Sequence, residues 1–333
     1  MVPAIAVADA LRAEGAEVSF VGGQRAEAEL VPKAGYELDP ISVEGISRSN
    51  PLKAARAVGK AGGALVAARK ILKQRQADAV LGGGGYVAGP VGLAATMAKI
   101  PLVLTEADSH LGLTNRLLAG RAERVCLAFP LEGHEGDRFL VTGRPVPETF
   151  TDRAHARAQL GLGADETAVL IFGGSLGARS INHAAVEAFK DAPYRVIHVA
   201  GTRDYPDLKA PGDHYVLLDY LTPFGIALAA ADVAVARSGG SIFELAQYGL
   251  PAVLIPYPHA TADHQTTNAR WMTEAGAARV LPDAELTPER LRAETDAVLA
   301  AREDMAAAAR ALAKPHAAAD IAREVLAAAA RRR

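Results

Sequence analysis

The chain has 333 residues, too many for one ordinary domain and enough for two α/β domains of roughly 150 residues each. Half the residues are hydrophobic but only 5% are aromatic, so the core must be built from Ala, Val, Leu and Ile, as buried parallel strands and their covering helices are. A formal net charge of −2 gives no global electrostatic case for nucleic-acid binding, and the single cysteine, Cys126, excludes an intramolecular disulfide and a Cys-based zinc site, which agrees with a cytoplasmic setting.

In chain order, helical periodicity over 3–14 ends at Gly15, and 17–23 reads as a short buried strand with a turn. The chain therefore opens on a helix. With no basic n-region and with Asp9 early, 1–9 is not expected to be a signal peptide. Strands are expected at 77–81, 101–105, 124–129 and 139–141, with helical stretches such as 113–119 between them, which is the βαβ grammar of a parallel sheet. The apolar run 91–104 is broken by Lys99 and the one after Gly225 by Asp232, so no segment is expected to span a bilayer. The Pro-containing polar segment 144–166 reads as an interdomain linker followed by a short helix. A second series of strands follows at 168–172, 195–200, 215–218, 233–236 and 252–256. Pro315 then breaks the pattern before an Ala-rich C-terminal helix.

Four glycine or polar loops follow strands and precede helices. The turn Gly173-Gly174-Ser175-Leu176-Gly177, with Asn182 in the next helix, exposes amides that can hold a diphosphate, or is a tight turn that binds nothing. The cluster Arg237-Ser238-Gly239-Gly240-Ser241 leads to Glu244, whose carboxylate can accept both hydroxyls of a ribose or simply favours the helix N-terminal dipole. After the next strand, His264-Gln265 offers donors and acceptors suited to sugar hydroxyls, or is a solvated helix start capped by Asp263. Three such loops at the ends of strands in one sheet would converge on one crevice. In the first half, Gly82-Gly83-Gly84-Gly85-Tyr86 is a further strand-to-helix turn, and Glu106, Asp108 and His110 follow the next strand as candidate bases. Glu106 and Asp108 lack further ligands nearby, so no metal site is expected. Seven Lys and Arg between Lys53 and Arg75, with no acid among them, lie beside Leu65, Val66, Ile71 and Leu72: a solvated helix face or a surface for an anionic membrane.

Taken in order, Gly83-Gly84-Gly85-Tyr86-Val87-Ala88-Gly89-Pro90, the segment from Glu106 to Gly112-Leu113-Thr114-Asn115-Arg116, Gly173 to Arg179, Arg237 to Glu244, and His264-Gln265 with Asn268-Ala269 resemble the MurG family of bacterial N-acetylglucosaminyltransferases over essentially the whole chain. The resemblance implies a GT-B fold, two Rossmann-like doubly wound α/β domains facing a cleft. An N-terminal acceptor and membrane-facing domain would take 1–147, a donor domain 148–314, and a C-terminal helix 315–333 would pack back across them. It implies inverting transfer of GlcNAc from UDP-GlcNAc to the MurNAc 4-hydroxyl of lipid I, undecaprenyl-diphospho-MurNAc-pentapeptide, to give lipid II, at the cytoplasmic face of the cell membrane, with no cofactor or metal and no nucleic-acid partner.

By position, Gly173, Gly174, Ser175, Gly177 and Asn182 would serve the diphosphate, with Arg237, Gly239, Gly240 and Ser241 in the second donor loop. The Leu221 backbone would serve the uracil, Glu244 the ribose, and His264 and Gln265 the GlcNAc hydroxyls. Gly84, Gly85, Tyr86 and Asn115 would meet the acceptor, and Glu106 is the acid best matched to the catalytic base.

Three departures stand out. The family's opening strand and its glycine turn ending in histidine have no counterpart, and Met1-Val2-Pro3-Ala4 matches the residues just after that turn, so a start further upstream is expected. The family's Gly-Asn-Pro-Val-Arg reads Gly143-Arg144-Pro145-Val146-Pro147, and its His-Glu-Gln-Asn reads Thr105-Glu106-Ala107-Asp108. The alternatives are another GT-B lipid glycosyltransferase and a non-catalytic UDP-sugar-binding relic.

Overall fold

A computed structural model describes residues 1–24, 26–43, 51–147, 149–174, 176–260 and 263–332, with the side chains of 26 and 51–61 left out. The chain divides into two compact units, Met1–Val146 with Lys314–Arg333, and Pro147–Ala313.

The second unit holds one six-stranded, all-parallel sheet: β7 (Ala168–Phe172), β8 (Arg195–Val199), β9 (Tyr215–Leu218), β10 (Val233–Ala236), β11 (Ala252–Leu254) and β12 (Ala278–Val280). Their order across the sheet is β12-β11-β10-β7-β8-β9. The order reverses between β7 and β10, the switch point where a doubly wound sheet opens a crevice at the C-terminal ends of its strands. Sequence explains why β7 and β10 are central. Every residue of both is buried, so they are apolar throughout, as a strand covered on both faces must be. Val169, Ile171, Val233, Val235 and Val253 meet Ile181, Ala185, Leu291 and Val298 of α7 (Arg179–Ala188) and α11 (Pro288–Ala300) in one core, and each fully buried Val or Ile side chain stabilises by about 2 kcal/mol.

The polar stretch before β7 carries α6 (Arg153–Gln159), started by Asp152, whose side chain accepts from His155 N at 2.9 Å. From α6 the buried Arg157 donates to Ala230 O at 2.7 Å and to Gly163 O at 2.8 Å, tying the entry segment to α8 (Gly225–Ala230).

In the first unit, α1 (Val2–Ala13) leads to β1 (Ser19–Gly22), which pairs in parallel only with β2 (Glu37–Pro40). A second parallel sheet runs β3 (Val80–Gly82), β4 (Leu102–Glu106), β5 (Arg124–Leu127), β6 (Phe139–Val141). Among the described residues no ladder joins β1 to β3, yet Val21 of β1 and Val80 of β3 pack into one core with α3 (Pro51–Gln74) and α4 (Gly85–Met97). The C-terminal helix α12 (Ala317–Ala330) packs on α1 and β4, through Ile321, Ala322 and Val325 against Val7, Leu11 and Val103.

Three elements were not expected. The helix α2 (Ala26–Lys33) contains Pro32, β2 reads Glu-Leu-Asp-Pro, and β12 is a three-residue edge strand with Arg279 and Val280 exposed. The basic stretch lies on α3; Lys53, Arg56 and Lys60 fall among the side chains left out, Arg69, Lys70 and Lys73 are exposed, and Arg75 is held by Asp39 (2.8 Å) and Glu37. No helix among the described residues is long and apolar enough to cross a membrane.

Candidate functional site

In the second unit the turn after β7 is shaped by glycines, two of which leave no room for a Cβ. Gly177 sits at φ +74°, and a Cβ there would lie 1.9 Å from Ala200 O; one on Gly173 would lie 2.3 Å from the Ala178 Cβ. Gly174, at φ +95°, faces open space and accepts from Gly177 N at 2.9 Å. Ser175 lies outside the described residues. The turn runs into α7, whose N-terminus at Ala178 no side chain caps.

Asn182, in the first turn of α7, has no exposed surface and does not reach into the crevice. Its Nδ2 donates to Ala200 O (2.9 Å) and Asp204 Oδ2 (3.2 Å), so its Oδ1 can only accept, and it lies 3.0 Å from His198 Nε2. His198 therefore carries its proton on Nε2 and accepts at Nδ1 from the Tyr215 hydroxyl at 2.8 Å. This neutral, directional chain clamps the end of β8 to α7 behind the Gly177 turn.

Burial pushes the His198 pKa from 6.5 down to about 4. A base whose folded value lies below its unfolded one contributes stability that is complete above the unfolded value and lost as the pH falls towards the folded one. Between pH 7 and pH 5 His198 should cost the second unit about 2 kcal/mol. Urea unfolding at the two pH values should show this loss in the parent and a shallower dependence in a His198→Gln chain; parallel dependences would contradict it. Asp204, held at about 2 chiefly by its hydrogen bonds from Arg203, acts in a lower window, its contribution being lost as the pH falls from 3.8 towards 2.

The second loop, after β10, is stitched to the loop after β11. Ser238 Oγ donates to Gln265 O at 2.7 Å, Asn268 Nδ2 donates to Ser238 O at 3.1 Å, and Tyr257 N donates to Gln265 Oε1 at 2.9 Å. The Gln265 Nε2 end lies against Gly239, 3.8 Å from where a Cβ would stand. Gly240, Ser241 and Glu244 are half-buried at the start of α9 (Ile242–Tyr248), and His264 opens α10 (His264–Glu274). Arg237 is turned inward. It donates to Ile255 O and Pro256 O, each at 3.1 Å, and to Ser180 Oγ at 2.8 Å, and pairs with Asp283 at 2.5 Å. It braces the crevice wall from behind. Leu221, half-buried beyond β9, lies at the same C-terminal end of the sheet.

In the first unit, Gly84 and Gly85 take φ +76° at the start of α4, and Thr114 Oγ1 donates to Gly85 O at 2.9 Å. Glu106 is buried at the end of β4, accepting from Asp108 N (3.2 Å), Gly112 N (2.9 Å) and Asn115 Nδ2 (2.9 Å). The same Asn115 Nδ2 donates to Thr105 O at 2.9 Å and lies 3.6 Å from where a Gly84 Cβ would stand. Asn115 Oδ1 is buried with no hydrogen-bond partner. Gly84, Glu106 and Asn115 thus form one cluster, while Tyr86 is 65% exposed beside it. Among the described residues no group of His, Cys, Asp and Glu could hold a metal ion.

Residues 1–127 match the glycosyltransferase family 28 N-terminal domain and 168–325 the glycosyltransferase family 28 C-terminal domain. A Rubrobacter xylanophilus protein named UDP-N-acetylglucosamine–N-acetylmuramyl-(pentapeptide) pyrophosphoryl-undecaprenol N-acetylglucosamine transferase is 38% identical over 97% of this chain and 98% of its own. A Salinibacter ruber protein of the same name is 40% identical over 99% and 94%. The crystal structure of Acinetobacter baumannii MurG superposes with a TM-score of 0.79 at 29% identity, covering 98% of this chain and 95% of that one. The chain belongs to the MurG family. Its fold is accordingly GT-B, two Rossmann-like parallel-sheet domains. A Neisseria meningitidis UDP-GlcNAc 2-epimerase bound to UDP-GlcNAc shares that fold alone, with a TM-score of 0.68 at 15% identity over 98% of this chain and 96% of that one.

Arg203 and Asp204, which meet Arg179 and Asn182 behind the Gly177 turn, were not singled out by sequence reasoning. Their segment, Gly201-Thr202-Arg203-Asp204, follows β8 as the other loops follow their strands, and that signal was available.

Proposed function

We propose that this chain transfers GlcNAc from UDP-GlcNAc to the MurNAc 4-hydroxyl of lipid I, forming lipid II. The observation that carries the reading is the 38% identity, over nearly the whole of both chains, with a transferase named for that reaction; the loops after β7 and β10 at the switch point support it.

The donor roles follow from chemistry. Amides of the Gly173 to Gly177 turn, with Ser175, and of the Gly239-Gly240-Ser241 loop take the diphosphate, whose charge suits bare helix N-termini. The Leu221 backbone meets the uracil and Glu244 the ribose hydroxyls. Gln265, with its Oε1 engaged by Tyr257 N, presents Nε2 as a donor to the GlcNAc hydroxyls beside His264. Asn182 and Arg237 hold these loops in place.

In the reaction the acceptor oxygen forms a bond to the anomeric carbon as the bond to the diphosphate breaks with inversion. UDP departs with its charge met by the same amides, and a base takes the hydroxyl proton. Glu106 is assigned that base, with Gly84, Gly85, Tyr86 and Asn115 around the acceptor.

Because lipid I is a membrane lipid, the first unit docks peripherally on the anionic cytoplasmic leaflet. Exposed Val66, Arg69, Lys70 and Lys73 of α3, with Leu93 and Met97 of α4 and Leu117 of α5 (Leu113–Leu118), mix apolar and basic groups as such a surface requires. Titration calorimetry tests the donor half. UDP-GlcNAc should bind and be displaced by UDP, while binding of UDP-glucose with equal affinity would contradict the sugar assignment.

A further inference from the structure

We propose that Arg203, seconded by Arg179, is a cationic arm of the donor site that grips the nucleotide diphosphate. The inference rests on the donor reading above and adds to it a loop, the one after β8, that the reading does not use.

The loop is in backbone contact with the diphosphate turn. A Cβ on Gly201 would stand 2.4 Å from Gly177 N and 2.6 Å from Leu176 C, so the loop starts packed against that turn. Arg179 opens α7 two residues after Gly177, and Asp204 joins it to Arg203, so the two guanidinium groups gather at the α7 end of that turn.

Asp204 explains how the arm is held. Its side chain is almost wholly buried and accepts from Asn182 Nδ2 (3.2 Å), from Arg179 Nε and Nη2 (each 3.2 Å), and from Arg203 Nε (2.9 Å) and Nη2 (2.7 Å). From inside, the chain Tyr215–His198–Asn182 fixes the carboxylate. One guanidinium together with Asn182 would satisfy a buried carboxylate, and here there are two. The second leaves a net positive charge beside the turn, on side chains that are 50% (Arg203) and 66% (Arg179) exposed. Arg203 grips Asp204 through one edge of its planar fork, and its outer edge suits a phosphate oxygen. A pinned guanidinium loses little freedom on binding, which favours a preorganised anion contact over a chance surface pair.

Binding of UDP and of uridine to the full chain, measured by calorimetry, separates the diphosphate contact from the rest of the site. In Arg203→Met, UDP affinity should fall about tenfold or more while uridine affinity stays at the parent value; Arg203→Lys, which keeps the charge without the fork, should fall in between. An unchanged UDP affinity, or an equal loss for UDP and uridine in a chain that still melts cooperatively, would overturn the proposal. If Arg203→Met fails to fold, Arg179→Met carries the test, since that side chain is the more exposed: a several-fold loss confined to UDP supports the arm and no loss overturns it. Failure of the parent chain to bind UDP would instead sink the donor reading itself.

Discussion

A Gly177→Ala chain is expected to lose at least about a hundredfold in UDP affinity and to be destabilised by roughly 3–5 kcal/mol. Two costs add. At φ +74° an alanine is strained, by about 1 kcal/mol or more. Its Cβ must also occupy space 1.9 Å from Ala200 O, a backbone atom that already accepts from Asn182 Nδ2 and so cannot swing away. Relief requires the turn to lift off the end of β8, which moves the amides of 173–177 away from the diphosphate. Gly174→Ala is the matched control. It sits at φ +95° with nothing within 4 Å, so it should cost only the strain, roughly 1–2 kcal/mol, with affinity reduced much less. Thermal melts with and without UDP check both variants. Parent-like UDP binding by Gly177→Ala would mean that the turn does not form the diphosphate site.

Glu106→Gln is expected to lower turnover about a hundredfold or more while leaving UDP-GlcNAc affinity unchanged, since the donor loops belong to the other unit. The carboxylate faces only donors: Asp108 N, Gly112 N and Asn115 Nδ2. A glutamine amide keeps one accepting oxygen and turns an NH2 group towards a donor, whichever way it is rotated. The loop 106–112 is therefore disturbed and the base is removed at once. Steady-state kinetics with donor calorimetry reads both. Retained turnover with a lowered melting temperature would make Glu106 a loop staple only, and the base would then be sought at Asp108 and His110.

How much of this was legible in the sequence depends on what each signal measures. The central strands of the second unit were, because strands buried on both faces must be apolar throughout, and β7 and β10 begin and end where their apolar runs do, as does the edge strand β9. The edge strands β2 and β12 were not. In β2, Glu37 is exposed and Asp39 is turned to Arg75, while the exposed Arg279 of β12 pairs with Glu294, so each strand lacks the apolar run that marks a buried one. Pro32 hides α2 for a similar reason, since it reads as a breaker although it lies within the helix.

The candidate site shows the same division. Glycine loops after strands announce themselves, because only glycine fits a positive φ against a neighbouring backbone, as at Gly177. The direction in which a long polar side chain points does not. Arg237 stands in a donor loop, yet its partners Ile255 O, Pro256 O and Asp283 come from segments brought beside it by the sheet order. Asn182 likewise turns away from the crevice to join His198 and Asp204. The basic stretch on α3 is partly absorbed in the same way, through Arg75, Asp39 and Glu37.

The most direct test of the central claim is UDP release from UDP-GlcNAc by this chain with and without lipid I, with UDP-glucose as the control donor. Release that requires lipid I, prefers UDP-GlcNAc and yields a disaccharide lipid is the predicted result. Release independent of lipid I, equal use of UDP-glucose, or no turnover by a chain that binds UDP-GlcNAc tightly would contradict it.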